Sequence, residues 1–312
     1  MKSLYPDIEP FHSFFLETES KHSVYVEQSG NPDGIPVVFL HGGPCSGTRP
    51  SQRSFFDPEK YHIILFDQRG SGQSLPFGEL ENNSTSYLIN DMEAIRQQLN
   101  IKQWLLFSGS WGSTLALLYA QQFSSCVSGI IIRGVFLARQ QDLDWFVRDG
   151  ASHLYPAQYQ CLLDSLPGRN IELLYETLWG ADEIAIRRVT KAWMQWSSQV
   201  ALGDDYQAEQ IPERMTQKMV AQVKMELNYA RHHYFIRENQ VLDNCAILQE
   251  IPIIIVHGQH DFVCPMAAGF SLAKALPHAE YRVLNQAGHV AIGEQMIDAL
   301  VTATDQMSAR LI

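Results

Sequence analysis

The chain has no long apolar run, no block of basic residues and no paired cysteines, and each absence narrows what it does. Nowhere do about 18 uninterrupted apolar residues occur, the length a membrane-spanning helix needs, and the opening MKSLYPDIEPF lacks the apolar core of a signal peptide. A soluble, cytoplasmic protein is expected. Basic residues are scarce: 23 Lys plus Arg stand against 34 Asp plus Glu, a formal charge of −11, so neither a nucleic acid nor a membrane surface is expected as a partner. The five cysteines (Cys45, Cys126, Cys161, Cys245, Cys264) are scattered, odd in number and never in a CxxC pair, which argues against a disulfide framework or a zinc site and suits a reducing compartment. Internal repeats and low-complexity tracts are missing too.

What is present is ample for a large core: 312 residues, 46% of them hydrophobic. Short runs rich in β-branched residues read as strands at Ser23 to Gln28, Val37 to Leu40, His62 to Phe66, Trp104 to Phe107 and Val127 to Ile132. Helical patterns lie between them at Tyr87 to Leu99 and Ser113 to Gln122. Runs such as Ile63-Ile64-Leu65-Phe66 are apolar on both faces, as central strands covered by helices require. The alternation predicts a mostly parallel central sheet flanked by helices, an α/β fold. From about Leu137 to Ile247 buried-strand runs cease, and Trp, Tyr, Gln and Leu recur at helical spacing, including a stretch from Val223 to Phe235. The rhythm resumes with Ile253 to Val256, a helix near Ala267 to Leu276, a strand at Tyr281 to Leu284 and a helix from Gly293 to Ser308. The expected organisation is a core of residues 1–136 and 248–312 interrupted by a helical insertion at 137–247.

Ser108-Gly109-Ser110-Trp111-Gly112 stands between an apolar strand and a helical run, the context of a nucleophile elbow. The G-x-S-x-G pattern is missed only at Ser108, where another small residue relieves the same crowding. A nucleophilic serine needs a base, and the base needs an orienting carboxylate, in the chain order Ser, Asp or Glu, His. Asp261 falls in the loop after the strand ending at Val256, and His289 in the loop after the strand ending at Leu284. Both loops open at the carboxyl edge of a parallel sheet, where ligands bind. His260 is the nearest rival histidine, but it shares a loop with the acid. A metal site from His257, His260 and Asp261 is poor, because neighbouring loop residues rarely converge, so no metal and no organic cofactor is expected. Backbone N–H groups of Trp111 and of Gly43, in the turn His41-Gly42-Gly43-Pro44, are the expected oxyanion donors. The Gly-rich Asp67-Gln68-Arg69-Gly70-Ser71-Gly72-Gln73-Ser74 fits no phosphate-binding pattern and reads as a turn that buttresses the site, with Arg69 paired internally.

HGGP at 41–44, DQRGSGQS at 67–74, GSWGSTLAL at 109–117, RGVFLAR at 133–139 and VHGQHDFVCP at 256–265 together resemble the prolyl aminopeptidases, or proline iminopeptidases, of the α/β-hydrolase fold. LYPDIEPF at the start and HYF at 233–235 are similar too, so the resemblance runs nearly end to end. It implies a helical cap over the site, Ser110, Asp261 and His289 as the triad, and release of N-terminal proline from small peptides through an acyl-enzyme. Trp193, Trp196, Tyr234 and Phe235 would then wall a small apolar pocket, although each taken singly is read first as cap core. Three positions depart from the family. Cys45 replaces a usual glycine, and Ser197 and Arg231 stand where members carry the glutamates implied to hold the substrate's α-ammonium. The remaining acids near those places are Asp204, Asp205, Glu209 and Glu226. Of these Glu226 is slightly preferred, although its place five residues before Arg231 sets the two about 140° apart on a helix. Two alternatives stand beside the peptidase: a hydrolase of this fold acting on another small ester, amide or lactone, and a non-catalytic binding protein. The oligomeric state has no signature in the sequence.

Overall fold

In the computed structural model, which describes residues 1–311, the strands are β1 (His12–Glu17), β2 (Ser23–Gly30), β3 (Ile35–Leu40), β4 (Tyr61–Phe66), β5 (Trp104–Ser110), β6 (Val127–Val135), β7 (Ile253–Gly258) and β8 (Glu280–Leu284). They form one sheet in the order β1-β2-β4-β3-β5-β6-β7-β8. Pairings β1·β2 and β2·β4 are antiparallel, and the rest are parallel. The helices of ten residues or more are α1 (Thr85–Gln98), α2 (Trp111–Gln122), α3 (Glu183–Leu202), α4 (Gln217–Arg231), α5 (Met266–Ala275) and α6 (Glu294–Leu311). No described helix is long and apolar enough to cross a membrane.

The two-residue period of the strands sorts their side chains onto two cores. On one face Val38, Leu40, Ile64 and Phe66 pack with α1, α2 and α5. On the other, Val37, Phe39, Ile63 and Leu65 pack with α6 and the short helix Pro50–Phe55. Each such fully buried aliphatic or aromatic side chain contributes about 1.5–3 kcal/mol by leaving water.

A third core lies within the insertion. On α3, Ile186, Val189, Trp193, Trp196 and Val200 recur at steps of three and four, and on α4, Val220, Val223 and Leu227 do the same, so the two stripes meet. Asp182 accepts from the Ile184 and Ala185 N–H groups and Thr216 from that of Met219, which fixes both helix starts.

The helix expected to run to Phe235 stops at Arg231, and His233, Tyr234 and Phe235 follow at φ of 49°, 55° and 55°. Three successive non-glycine residues in the left-handed region cost about 1–2 kcal/mol each, and the turn they make swings Tyr234 beneath the sheet's edge. Beyond it Val241, Cys245, Leu248 and Ile251 belong to the sheet's own core. A parallel crossover explains this: the chain leaves the carboxyl end of β6 and must regain the amino end of its neighbour β7. The last part of the stretch expected to be cap up to residue 247 therefore runs down along the sheet.

Candidate active site

Strand β5 delivers Ser110 into a sharp turn, with φ 57° and ψ −130°, before α2 begins at Trp111. This strained conformation lifts the hydroxyl to the carboxyl edge of the sheet. At the place where the pattern calls for glycine, Ser108 is buried within β5 with its hydroxyl unpartnered, so the substitution adds one orphaned polar group.

The acid and the base arrive on the loops after β7 and β8. His289 Nδ1 lies 2.9 Å from both oxygens of Asp261. A carboxylate only accepts, so Nδ1 carries the proton and Nε2 is left basic. Burial pushes the Asp261 carboxyl up, but His289 and the Cys264 N–H outweigh it, and the group sits below the ordinary carboxylate range. Its Oδ1 accepts from the backbone N–H of Cys264 at 2.8 Å and of Val263 at 3.1 Å. Arg133, on β6, donates to the His289 carbonyl and fixes the second loop. Gly134, at φ 50°, passes so close that a Cβ there would come within 2.9 Å of Asp261 Oδ2. His257 donates from Nε2 to the Cys264 carbonyl at 2.8 Å, and its burial lowers its basicity, so it is a neutral strut. His260 is exposed.

No hydrogen bond joins Ser110 to His289 among the described residues; the Cys264 thiol lies against the Ser110 hydroxyl instead. Triad contacts of this kind are commonly loose until substrate draws them together. Asp261, Cys264 and His289 offer three donor atoms within 4.8 Å of one another. The 2.9 Å separation of His289 from Asp261 is a hydrogen bond, shorter than the roughly 3.3 Å edge between donors on one tetrahedral zinc, so the cluster fits a triad better than a metal.

The expected oxyanion donors face the same cavity as Ser110. Trp111 opens α2, whose N-terminus favours negative charge. The turn holding Gly43 lies against the nucleophile, since a Cβ on Gly42 would sit 3.2 Å from the Ser110 Cβ. No protein acceptor takes the Gly43 N–H among the described residues. One residue that sequence reasoning did not single out ties the two donors together. Gln68 donates from Nε2 to the His41 carbonyl at 2.8 Å and accepts at Oε1 from the Trp111 indole at 2.9 Å. Its backbone N–H donates to His41 Nε2 at 3.0 Å, and burial holds that imidazole neutral. Motif position marked Gln68 only as part of a buttressing turn. Arg69 beside it forms a bidentate pair with Asp91, at 2.6 and 2.7 Å. Cys45 adopts φ 83°, the conformation that makes glycine usual at its place.

The cap closes over this edge and leaves a cavity of about 370 Å³. Trp193, Tyr234 and Glu226 line it, with Leu143, Phe146 and Tyr175, which no motif announced. Tyr234 packs on Trp111 and Phe136, with ring centroids 5.2 and 4.9 Å away. Two expectations are corrected. Trp196 points into the cap's own core between Phe146 and Tyr159, because the stripe on α3 turns it inward. Phe235 is partly exposed and stacks on His232, turned outward by the left-handed backbone. Asp204, Asp205 and Glu209 lie away from the cavity in short surface turns. Ser197 turns its hydroxyl to the Met194 carbonyl of its own helix.

Glu226 is partly buried and lines the cavity. Its hydrogen-bond partner is the Trp193 indole at 3.3 Å, and burial raises its carboxyl to about 7. Arg231 lines the cavity as well, although 140° separates the two on an ideal helix; it is the last residue of α4 and its long side chain reaches round.

The family model of the alpha/beta hydrolase fold matches residues 35–295. A probable proline iminopeptidase of Leptolyngbya boryana is 40% identical, with 99% of this chain and 98% of that protein covered. The proline iminopeptidase of Arabidopsis thaliana is also 40% identical, over 99% of this chain and 83% of its own. Among solved structures, a proline iminopeptidase-related protein from Thermus thermophilus is similar in fold, with a TM-score of 0.60 at 19% identity, covering 96% of this chain and 98% of that one. Identity of the extent seen in the first two, sustained from one end of the chain to the other, means that the chain belongs to the proline iminopeptidase family of α/β hydrolases.

Proposed function

We propose that the chain is a serine exopeptidase releasing N-terminal proline from small peptides, with Ser110, His289 and Asp261 as nucleophile, base and orienting acid. The observation that carries this is a strained serine and a carboxyl without a cation on one cavity, with a histidine aligned by a buried carboxylate beside it, next to the Cys264 thiol that lies against the serine.

In the first half of the reaction His289 Nε2 takes the Ser110 proton as Oγ bonds to the scissile carbonyl carbon. The oxygen gains negative charge, which the Gly43 and Trp111 N–H groups stabilise. Collapse breaks the C–N bond, the leaving amine takes the proton from His289, and prolyl-Ser110 remains. Water then repeats the sequence and releases proline. Glu226 would hold the substrate's ammonium, since an unpaired charge in such a pocket costs several kcal/mol. Trp193 and Tyr234 would flank the ring. The scattered, unpaired cysteines support a reducing, cytoplasmic setting.

A proline amide compared with its N-acetylated form tests the proposal. A strong preference for the free amine is expected, and equal cleavage would move the chain to the ester, amide or lactone hydrolases. That second function is favoured by Ser197 and Arg231, which stand where family members carry ammonium-binding glutamates. Covalent labelling by a fluorophosphonate separates both from a non-catalytic binding protein, because only an activated serine reacts.

A further inference from the structure

The charges around the cavity divide unevenly. Asp142 is held by Arg139 at 2.8 Å, and Asp144 and Glu172 are held by Arg148 at 3.5 and 2.8 Å. Two lining groups have no ionic partner among the described residues. One is Glu226, and the other is Arg231, whose guanidinium carbon lies 5.9 and 5.8 Å from the ring centroids of Tyr175 and Trp179 and meets no carboxylate within 4.0 Å. They do not pair with each other. Five residues of helix place their backbones about 7.5 Å apart along the axis of α4. A partly buried acid without a cation and, further along the same helix, a cation without an acid form the mould of a small molecule charged oppositely at its two ends.

We infer that Arg231 is an anion subsite for the terminal carboxylate of a short peptide whose amino end lies at Glu226, so that the chain selects di- and tripeptides with a free carboxyl terminus. This rests on the exopeptidase function proposed above. The backbone spacing is of the same order as the peptide, since two to three extended residues span about 7–10 Å. The chemistry agrees as well. A guanidinium beside aromatic faces keeps its N–H edge for bidentate contact with a carboxylate, and it is already positioned before the ligand arrives. Arg231 is exposed, so solvent screens the attraction and the effect is about tenfold rather than thousands.

The test compares kcat/KM for Pro-Gly and Pro-Gly-NH2 with the intact protein, Arg231→Gln and Arg231→Glu. The intact protein is expected to favour the free acid by about tenfold, mainly through KM, and added salt should shrink the ratio. Arg231→Gln should bring the ratio to about one, and Arg231→Glu should favour the amide. A ratio near one in the intact protein, or a preference that survives Arg231→Gln, overturns the carboxylate subsite and leaves the exopeptidase standing. Failure to cleave either peptide while a simple ester is hydrolysed overturns both.

Discussion

The edge of the sheet and the underside of the cap enclose one cavity but are held in different ways. At the sheet's edge every candidate reacting group sits within a few residues of a strand's end, after β5 and β7, buried on both faces, or after the half-buried β8, and several are braced again. Asp261 is held by two backbone N–H groups, His289 by Arg133, and the oxyanion turn by Gln68. In the cap the groups that meet the cavity project from helices packed largely on a separate core, and two of them, Glu226 and Arg231, have no ionic partner among the described residues. The first surface is braced by the protein itself, while the second presents charges without partners. Bond-breaking is thereby assigned to the sheet and choice of substrate to the cap, and the two should be separable by experiment.

Ser110→Ala should strike hardest and without regard to substrate. Loss of the nucleophile typically costs roughly 10⁴ to 10⁶ in kcat, for a proline amide and a simple ester alike. Retention of more than a few per cent of activity in a preparation free of host hydrolases would break the assignment. Gln68→Leu should come next. It unties both oxyanion donors, so kcat should fall about 100-fold with KM nearly constant, again for both substrates. A fall confined to proline amides would place Gln68 on the wrong side of the comparison.

Glu226→Gln should act only through the cap. A charge-assisted contact of about 1.5–3 kcal/mol predicts a loss of about 10- to 100-fold in kcat/KM for free proline amides, with simple esters within about threefold. Smallest and most graded is the effect of pH. The Glu226 carboxyl is raised from 4.5 to about 7, so its charge is present above that value and lost as pH falls through it. KM for proline amides should rise several-fold between pH 8 and pH 6, while KM for neutral esters stays flat. The folded value exceeds the unfolded one, so this group's contribution to stability is full below 4.5 and lost as pH rises towards 7. Melting temperatures of Glu226→Gln should therefore drop less than those of the intact protein across that window.

How much of this the sequence showed differs between the same two surfaces. Central strands betray themselves, because burial on both faces forces continuous apolar runs such as Ile63 to Phe66, and the loops that follow inherit their positions. Ser110 and Asp261 were therefore legible as residues after such strands, while His289 follows the half-buried edge strand β8, which was read from the short run Tyr281 to Leu284. The edge strand β1 was not, since His12 and Ser13 are exposed and only Phe14 and Leu16 turn inward. In the cap, helical spacing revealed that aromatic residues repeat but not which way each faces. Trp193 and Trp196 lie three residues apart on one stripe, and only the packing against Phe146 and Tyr159 decides that the first reaches the cavity and the second does not. The run of positive φ at 233–235 had little local signature either, as neither Tyr234 nor Phe235 is a residue that favours it. Gln68 was visible as part of a motif, but its role as a tie depends on a contact with Trp111 across 43 residues of chain.

Adjacent strands β6 and β7 pair directly, from Ile130 with Ile253 to Arg133 with Val256, whatever the chain does between them. The insertion thus leaves the strand pairing of the platform continuous, although its last part packs on the sheet's core. Closing a longer or shorter excursion changes the entropy of the crossover only slowly, by about 0.6 kcal/mol for each doubling of its length. A lineage can therefore exchange, lengthen or recharge the roof and acquire a new diet while the reactive serine and its partners stay in register.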